Sequence, residues 1–319
     1  MRSAPLTRLG GLLEIGRHPD PAWLRSECRR LREAGFAEAY PGDLFLEYIP
    51  AHVSPAPPDR LIFSENGGSL CFRPEETFAW VKSVIRDEGL VMESAHYNQM
   101  LAPPGTALPD WLFTYHERML DIAAEFELKR VTTHPGWMFG SAMECYTGSA
   151  ARAFLKKEIG MTALNRAAFE TYGGDQRVWE DSIRLYRWLC RRAERHEITV
   201  TLETAISEWY DLTLDPGRLL SFCDEVGATN LGICVDSGHC HLNGLDPAAV
   251  IRACAPRMCE THFHDNHGEH DEHNPLGQGT IAWPEVIRAL RDTGYEGSIT
   301  FEQRDHAVNA AKWREFLTA

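Results

Sequence analysis

Six short apolar runs along the chain each end in, or run straight into, a histidine or a carboxylate. His96 closes GLVMESAH, His134 closes RVTTH, Glu203 closes ITVTLE and Asp236 closes LGICVD; His262 closes CETH and Glu302 closes SITFE. His239 follows Asp236 within VDSGH. Imidazole nitrogen and carboxylate oxygen suit Zn, Mn, Co or Fe(II), and no cysteine stands at these ends, so the set has catalytic rather than structural metal chemistry. A charged group at the end of an apolar run is costly to bury unless it is paired or binds an ion. One such histidine is ordinarily a hydrogen-bonded core residue. Six in register would need that explanation to hold six times over.

The segment from His262 to Gly279, HFHDNHGEHDEHNPLGQG, holds five of the fourteen histidines within twelve residues. A bare histidine tract means only surface metal affinity. This one follows an apolar run directly and ends in a Gly-rich turn ahead of Trp283-Pro284, which makes it a loop between a strand and a helix.

The elements that must hold these groups repeat one unit of strand, loop and amphipathic helix. Asp20-Pro21 precedes Leu24, Cys28 and Leu31, and Gly35 stops that helix, the order expected of an N-terminal Pro and a C-terminal Gly. Pro74, Asp215-Pro216, Asp246-Pro247 and Pro284 open similar units. Strands are expected near 9–15, 43–48, 90–96, 129–134, 198–203, 231–236, 258–263 and 298–302. Eight such units in 319 residues predict an α/β fold, a (β/α)8 barrel forming a single domain over 1–319, with ligands at the C-terminal ends of the strands. Strand counting alone does not separate it from a doubly wound sheet. Three long βα loops, 49–73, 97–110 and 135 to about 176, are expected on the chemical face, the last as a lid-like insertion at about 137–176.

The net charge of −14, from 46 acidic and 32 basic residues, disfavours nucleic acid as a partner. No stretch nears the roughly 18 apolar residues of a membrane span. Nine scattered cysteines and an N-terminus without an apolar signal core lead us to expect reduced thiols in a cytoplasmic protein. A homo-oligomer is possible, with no helix marking an interface.

These residues together resemble the xylose-isomerase-like TIM barrels, a group that includes sugar isomerases and epimerases and the DNA-repair enzyme endonuclease IV. The likeness to the endonuclease IV pattern is carried by His96, His134 in HPG, Glu203, Asp236 and His239 in DSGH, His262 in HFHD, Asp271 and His273 in DEH before GQGTI, and Glu302. The resemblance implies that these nine positions ligate up to three Zn ions. The sugar isomerase branch implies a smaller set, Glu203, Asp236, His262 and Glu302, around one Mn, Co or similar ion. Epimerases of that branch commonly carry Arg in the loop where this chain has Asp271-Glu272-His273.

The expected function is a divalent-metal-dependent isomerase, epimerase or lyase acting on a small polyhydroxylated, sugar-like substrate, with one to three ions per chain, Zn or Mn foremost. Glu203 and Glu302 would exchange a proton on either side of a C–H beside a carbonyl, and His239 would hold a hydroxyl or shuttle a proton. His264, Trp137 and Arg304 are candidates for substrate contact, and Trp111, Phe139, Trp209 and Tyr210 could stack on a sugar face. The alternative is a multinuclear zinc phosphoesterase, for which Lys156 and Lys157 are further cations to consider. A non-catalytic metal-binding barrel is the third possibility.

Overall fold

The structure, a computed structural model, describes residues 6–15, 20–42, 44–50, 52, 57–65, 68–96, 110–134, 174–205 and 215–318. Eight parallel strands form the barrel: β1 (Leu9–Leu13), β2 (Glu38–Pro41), β6 (Ser94–His96), β7 (Arg130–Thr133), β8 (Thr199–Glu203), β9 (Leu231–Asp236), β10 (Met258–Phe263) and β11 (Ile299–Phe301). They are ordered β2-β1-β11-β10-β9-β8-β7-β6. Glu38 bridges Val91 just ahead of β6, with the Ala39 amide donating to the Val91 carbonyl at 2.9 Å, so the two edge strands meet and the ring closes.

The helices form where caps and apolar spacing agree. In α1 (Pro21–Ala34) the Asp20 carboxylate accepts from the Ala22 amide at 2.9 Å, Pro21 takes the first turn, and Leu24, Cys28 and Leu31 are buried. Gly35 ends it at φ 92, left-handed backbone that costs glycine nothing. α2 (Glu75–Asp87) buries Phe78, Val81 and Ile85; α5 (Pro216–Val226) buries Leu219, Phe222 and Val226. Each large apolar side chain so buried stabilises the fold by about 1.5–3 kcal/mol. Between α2 and α5 run α3 (Asp110–Glu125) and α4 (Gly174–Ala193); after α5 come α6 (Ser237–Leu242), α7 (Pro247–Cys254), α8 (Trp283–Thr293) and α9 (His306–Thr318).

One expected strand is corrected. The second barrel strand is Glu38–Pro41 rather than 43–48. The more apolar Leu46–Pro50 (β3) pairs antiparallel with Gly68–Phe72 (β5), which pairs with Leu61–Glu65 (β4) in a separate three-stranded sheet. The stretch expected as the loop 49–73 is therefore largely a hairpin. The lid-like insertion expected at 137–176 lies outside the described residues up to 173, as do 97–109. No described helix is long and apolar enough to cross a membrane. The eight described cysteines are free thiols.

The barrel interior is polar. The Thr132 hydroxyl lies 2.6 Å from that of Thr201 and donates to Glu260 Oε2 at 3.1 Å, reaching across from β7 to β10. Arg130 Nε stands 3.4 Å from the same carboxylate. This layer pairs buried charge with charge near the N-terminal ends of the strands, below the ligand-bearing ends.

Candidate metal centre

Parallel register delivers the ionisable side chains to one end of the barrel. His262 lies directly beside Asp236 in the β10–β9 ladder, and Glu203 beside Cys234 in β8–β9. His96 ends β6, His134 follows β7 and Glu302 follows β11. Three groups result, the donor atoms of each lying within 4.8 Å of one another: His96, His134 and Glu203; Glu203, Asp236, His262 and Glu302; and His239, His264, Asp271 and His273.

In the first group the three donors form a near-equilateral triangle. His96 Nε2 and His134 Nε2 are 3.3 Å apart, and each is 3.2 Å from Glu203 Oε2. Donors about 2.0–2.1 Å from a tetrahedral ion stand about 3.3 Å from each other, so the triangle has the dimensions of a ligand face. In the second, His262 Nδ1 is 3.0 Å from Glu203 Oε1 and 3.1 Å from Glu302 Oε1. In the third, Asp271 Oδ2 is 3.8 Å from His239 Nε2 and 3.3 Å from His273 Nε2.

The donor set fits divalent ions on two further grounds. Glu203 Oε2, Asp236 Oδ2, Asp271 Oδ1 and both ring nitrogens of His262 and His264 are buried without an aligned hydrogen bond. Buried polar atoms left this way cost about 1–3 kcal/mol each unless something else engages them. Backbone carbonyls also fix two of the imidazoles: His239 Nδ1 donates to the Thr204 carbonyl at 2.8 Å and His273 Nδ1 to the Glu302 carbonyl at 2.9 Å. The remaining Nε2 atoms both face Asp271, the orientation a metal-ligating histidine takes when its other nitrogen is anchored.

The groups hold opposite charges against each other. Burial pushes the Glu203 carboxyl up, but His262 and His134 outweigh it and hold the carboxyl well below the usual range. For Asp236 burial is likewise outweighed, by His239 and His264. Burial opposes protonation of His262, yet Glu203 and Glu302 raise it to about 10. His134 goes down, because burial exceeds the pull of Glu203. Six imidazoles and four carboxylates thus meet in one buried space, where the carboxylates Glu203 and Asp236 are held charged by the histidines beside them.

The loop between β10 and α8 is organised by Asp265, to which sequence reasoning gave no role. Its carboxylate accepts from the Gly277 amide at 2.8 Å, the Ile281 amide at 3.2 Å and Trp283 Nε1 at 2.8 Å. Asp236 also caps α6, accepting from the His239 amide at 2.7 Å. Gly238 is needed in that helix because a Cβ there would lie 1.9 Å from His264 Cε1. Tyr40, at the end of β2, packs its ring on His262 with centroids 4.8 Å apart.

The structure brings all nine expected ligands together at this face. His264, expected at the substrate, instead lies fully buried in the third group, stacked on His273 at 3.8 Å and 3.1 Å from Asp236 Oδ1. Its ligand-group position was readable only from the spacing of His262 and His264, one residue apart on a strand that then leaves the ladder. Arg304 stands at the cavity mouth, ion-paired with Glu14. Trp137, Phe139, Trp209, Tyr210, Lys156 and Lys157 lie outside the described residues, as does the side chain of Trp111.

Comparison with known proteins bears on the same region. A family profile described as the xylose isomerase-like TIM barrel matches residues 72–318. An uncharacterised protein of Sinorhizobium fredii is 33% identical over 244 residues, 75% of each chain. The D-psicose 3-epimerase of Enterocloster bolteae is 27% identical over 122 residues, 38% of each chain. The chain thus spans under half the length of that relative, and 43% of an archaeal one. The solved D-allulose 3-epimerase from Methylomonas sp. superposes with a TM-score of 0.64 at 17% identity, covering 100% of this chain and 99% of the other. At that identity the likeness shows the fold alone.

Proposed function

This chain belongs to the xylose isomerase-like TIM barrel family, and from that premise we propose that it is a divalent-metal-dependent epimerase or isomerase of a small ketose-like sugar. The observation that carries this reading is the pair of carboxylates Glu203 and Glu302, from β8 and the end of β11, set 3.0 and 3.1 Å from one nitrogen of His262. The D-psicose 3-epimerase among its relatives supports the same class of chemistry.

Glu203, Asp236, His262 and Glu302 would hold the ion, which supplies charge stabilisation at the substrate's carbonyl and hydroxyl oxygens when bound. One of the two glutamates takes the proton from the carbon beside the carbonyl, and the other returns a proton from the opposite face. His262 is held in place by the Tyr40 ring and by its place in the ladder beside Asp236. His239 has its Nδ1 committed to the Thr204 carbonyl, which leaves its Nε2, 3.8 Å from Asp271 Oδ2, as the nitrogen that faces the ligand groups.

Epimer formation from free ketohexoses and ketopentoses, followed chromatographically on protein loaded with Mn, Co or Zn, tests the reading. Interconversion at the carbon next to the carbonyl, lost in Glu302→Gln, is expected. No conversion of any ketose by fully loaded protein would overturn it.

A second reading is favoured by one observation, the compact triangle of His96, His134 and Glu203. A further ion there and another at the third group would suit hydrolysis of a phosphoester by a multinuclear zinc site. Hydrolysis of bis(4-nitrophenyl) phosphate by the same preparations separates the two.

A further inference from the structure

We infer that Glu14 and Arg304 make the mouth of this centre select an unphosphorylated sugar and reject its phosphate ester; the inference rests on the sugar reading above. Glu14 follows the last residue of β1, and Arg304 stands two residues beyond Glu302. They form an ion pair across the mouth, with side chains 25% and 55% exposed. A cavity of about 420 Å³ opens there, lined by Glu14, His96, His273, Glu302, Gln303 and Arg304 among others. Its volume is that of a small-molecule site, roughly 300–1,000 Å³, and its lining joins the candidate metal ligands to the ion pair.

The pairing of charges on this wall bears on which sugars it admits. Arg304 is the one lysine or arginine among the described lining residues, and Glu14 already neutralises it. A sugar phosphate carries about −1.5 to −2 charges at neutral pH. To reach Arg304 it must displace the Glu14 carboxylate, which stays tethered beside it. Sugar hydroxyls face no such conflict, because they donate to the Glu14 carboxylate and accept from the Arg304 guanidinium without disturbing the pair. The pair therefore acts by repulsion of the charged analogue as much as by contact with the neutral one.

The test compares wild type, Glu14→Gln, Glu14→Ala and the Glu14→Gln/Arg304→Gln double variant, all full-length and metal-loaded. Inorganic phosphate is the first probe, its binding measured calorimetrically; any contact with bound metal is common to all four proteins and cancels. Removing the carboxylate frees Arg304, so each single variant should bind phosphate at least about 10-fold more tightly than wild type, equivalent to about 1.4 kcal/mol, and the double variant should lose the gain. The ratio of kcat/KM for a ketose phosphate over the free ketose should rise by a similar factor in the single variants. Unchanged phosphate affinity in both single variants, or a gain that survives loss of Arg304, would overturn the inference. If no ketose turns over in any of the proteins, the functional reading fails, and phosphate binding alone still decides the role of the pair.

Discussion

Glu203 is the side chain common to two of the three ligand groups, and Asp236 both caps α6 and belongs to the second. Loss of an outer-sphere partner typically lowers metal affinity or activity about 10–100-fold, and loss of a ligand itself costs more. Glu203→Gln and Asp236→Asn should each reduce bound metal to well below the wild-type stoichiometry and turnover by more than about 100-fold; normal metal content and activity in both would remove the site. His96→Ala and His134→Ala divide the two functional readings. In a one-ion epimerase they leave turnover within about 10-fold of wild type, whereas in a multinuclear hydrolase they abolish phosphoester cleavage. Six of the nine candidate ligands were legible in the sequence because each closes a short apolar run, whereas His239, Asp271 and His273 were reached through the motifs that carry the family resemblance. Asp265, Glu14 and Tyr40 were not, since their roles depend on which backbone amides, cation or ring the fold brings to them.

At the level of elements, the Asp265 carboxylate ties the β10–α8 loop to itself and to the start of α8. Asp265→Ala strands the Gly277 and Ile281 amides and the Trp283 indole, and leaving buried donors unpaired should cost about 2–4 kcal/mol in chemical denaturation. Stability within about 0.5 kcal/mol of wild type would contradict that role. On the opposite side of the barrel Glu88, at the end of α2, accepts from Arg25 at 3.0 Å and Arg29 at 3.1 Å of α1. The Arg29 bond above all, against the opposing effect of burial, holds its carboxyl below the ordinary 4.5. A carboxyl lowered in the folded state contributes stability above its unfolded value, and that contribution disappears as the pH falls through the folded value. Glu88→Gln should therefore lower Tm at pH 7 and leave it nearly unchanged near pH 3. Helix positions were readable because caps and apolar spacing agreed, as at Asp20, Pro21 and Gly35. The second barrel strand was not, because the four residues Glu38–Pro41 are short while Leu46–Pro50 carries the stronger apolar run and spends it on a separate hairpin sheet.

For the whole molecule, the barrel carries two polar layers. Arg130, Glu260, Thr132 and Thr201 pair charge and hydroxyl in its interior, and the ligand groups gather imidazoles and carboxylates at its C-terminal rim. The lower layer pairs Arg130 with Glu260 while Arg130 Nε and Glu260 Oε1 stay without an aligned hydrogen bond, and the upper layer leaves imidazole nitrogens and carboxylate oxygens of its own unengaged. An ion that binds the folded chain stabilises it in proportion to the logarithm of its concentration over Kd, about 2.7 kcal/mol at 100-fold excess. Chelation should lower Tm, re-addition of Mn or Zn should restore it, and Glu203→Gln should respond to neither. Most direct is the fate of one hydrogen: metal-loaded protein is incubated with D-fructose, D-allulose and the ketopentoses in D2O while the signal of the proton on the carbon beside the carbonyl is followed by NMR. The account predicts that this signal fades as the epimer appears, in wild type and not in Glu203→Gln or Glu302→Gln. Retention of that hydrogen in every ketose, on protein whose ligand groups are shown to be filled, would contradict it.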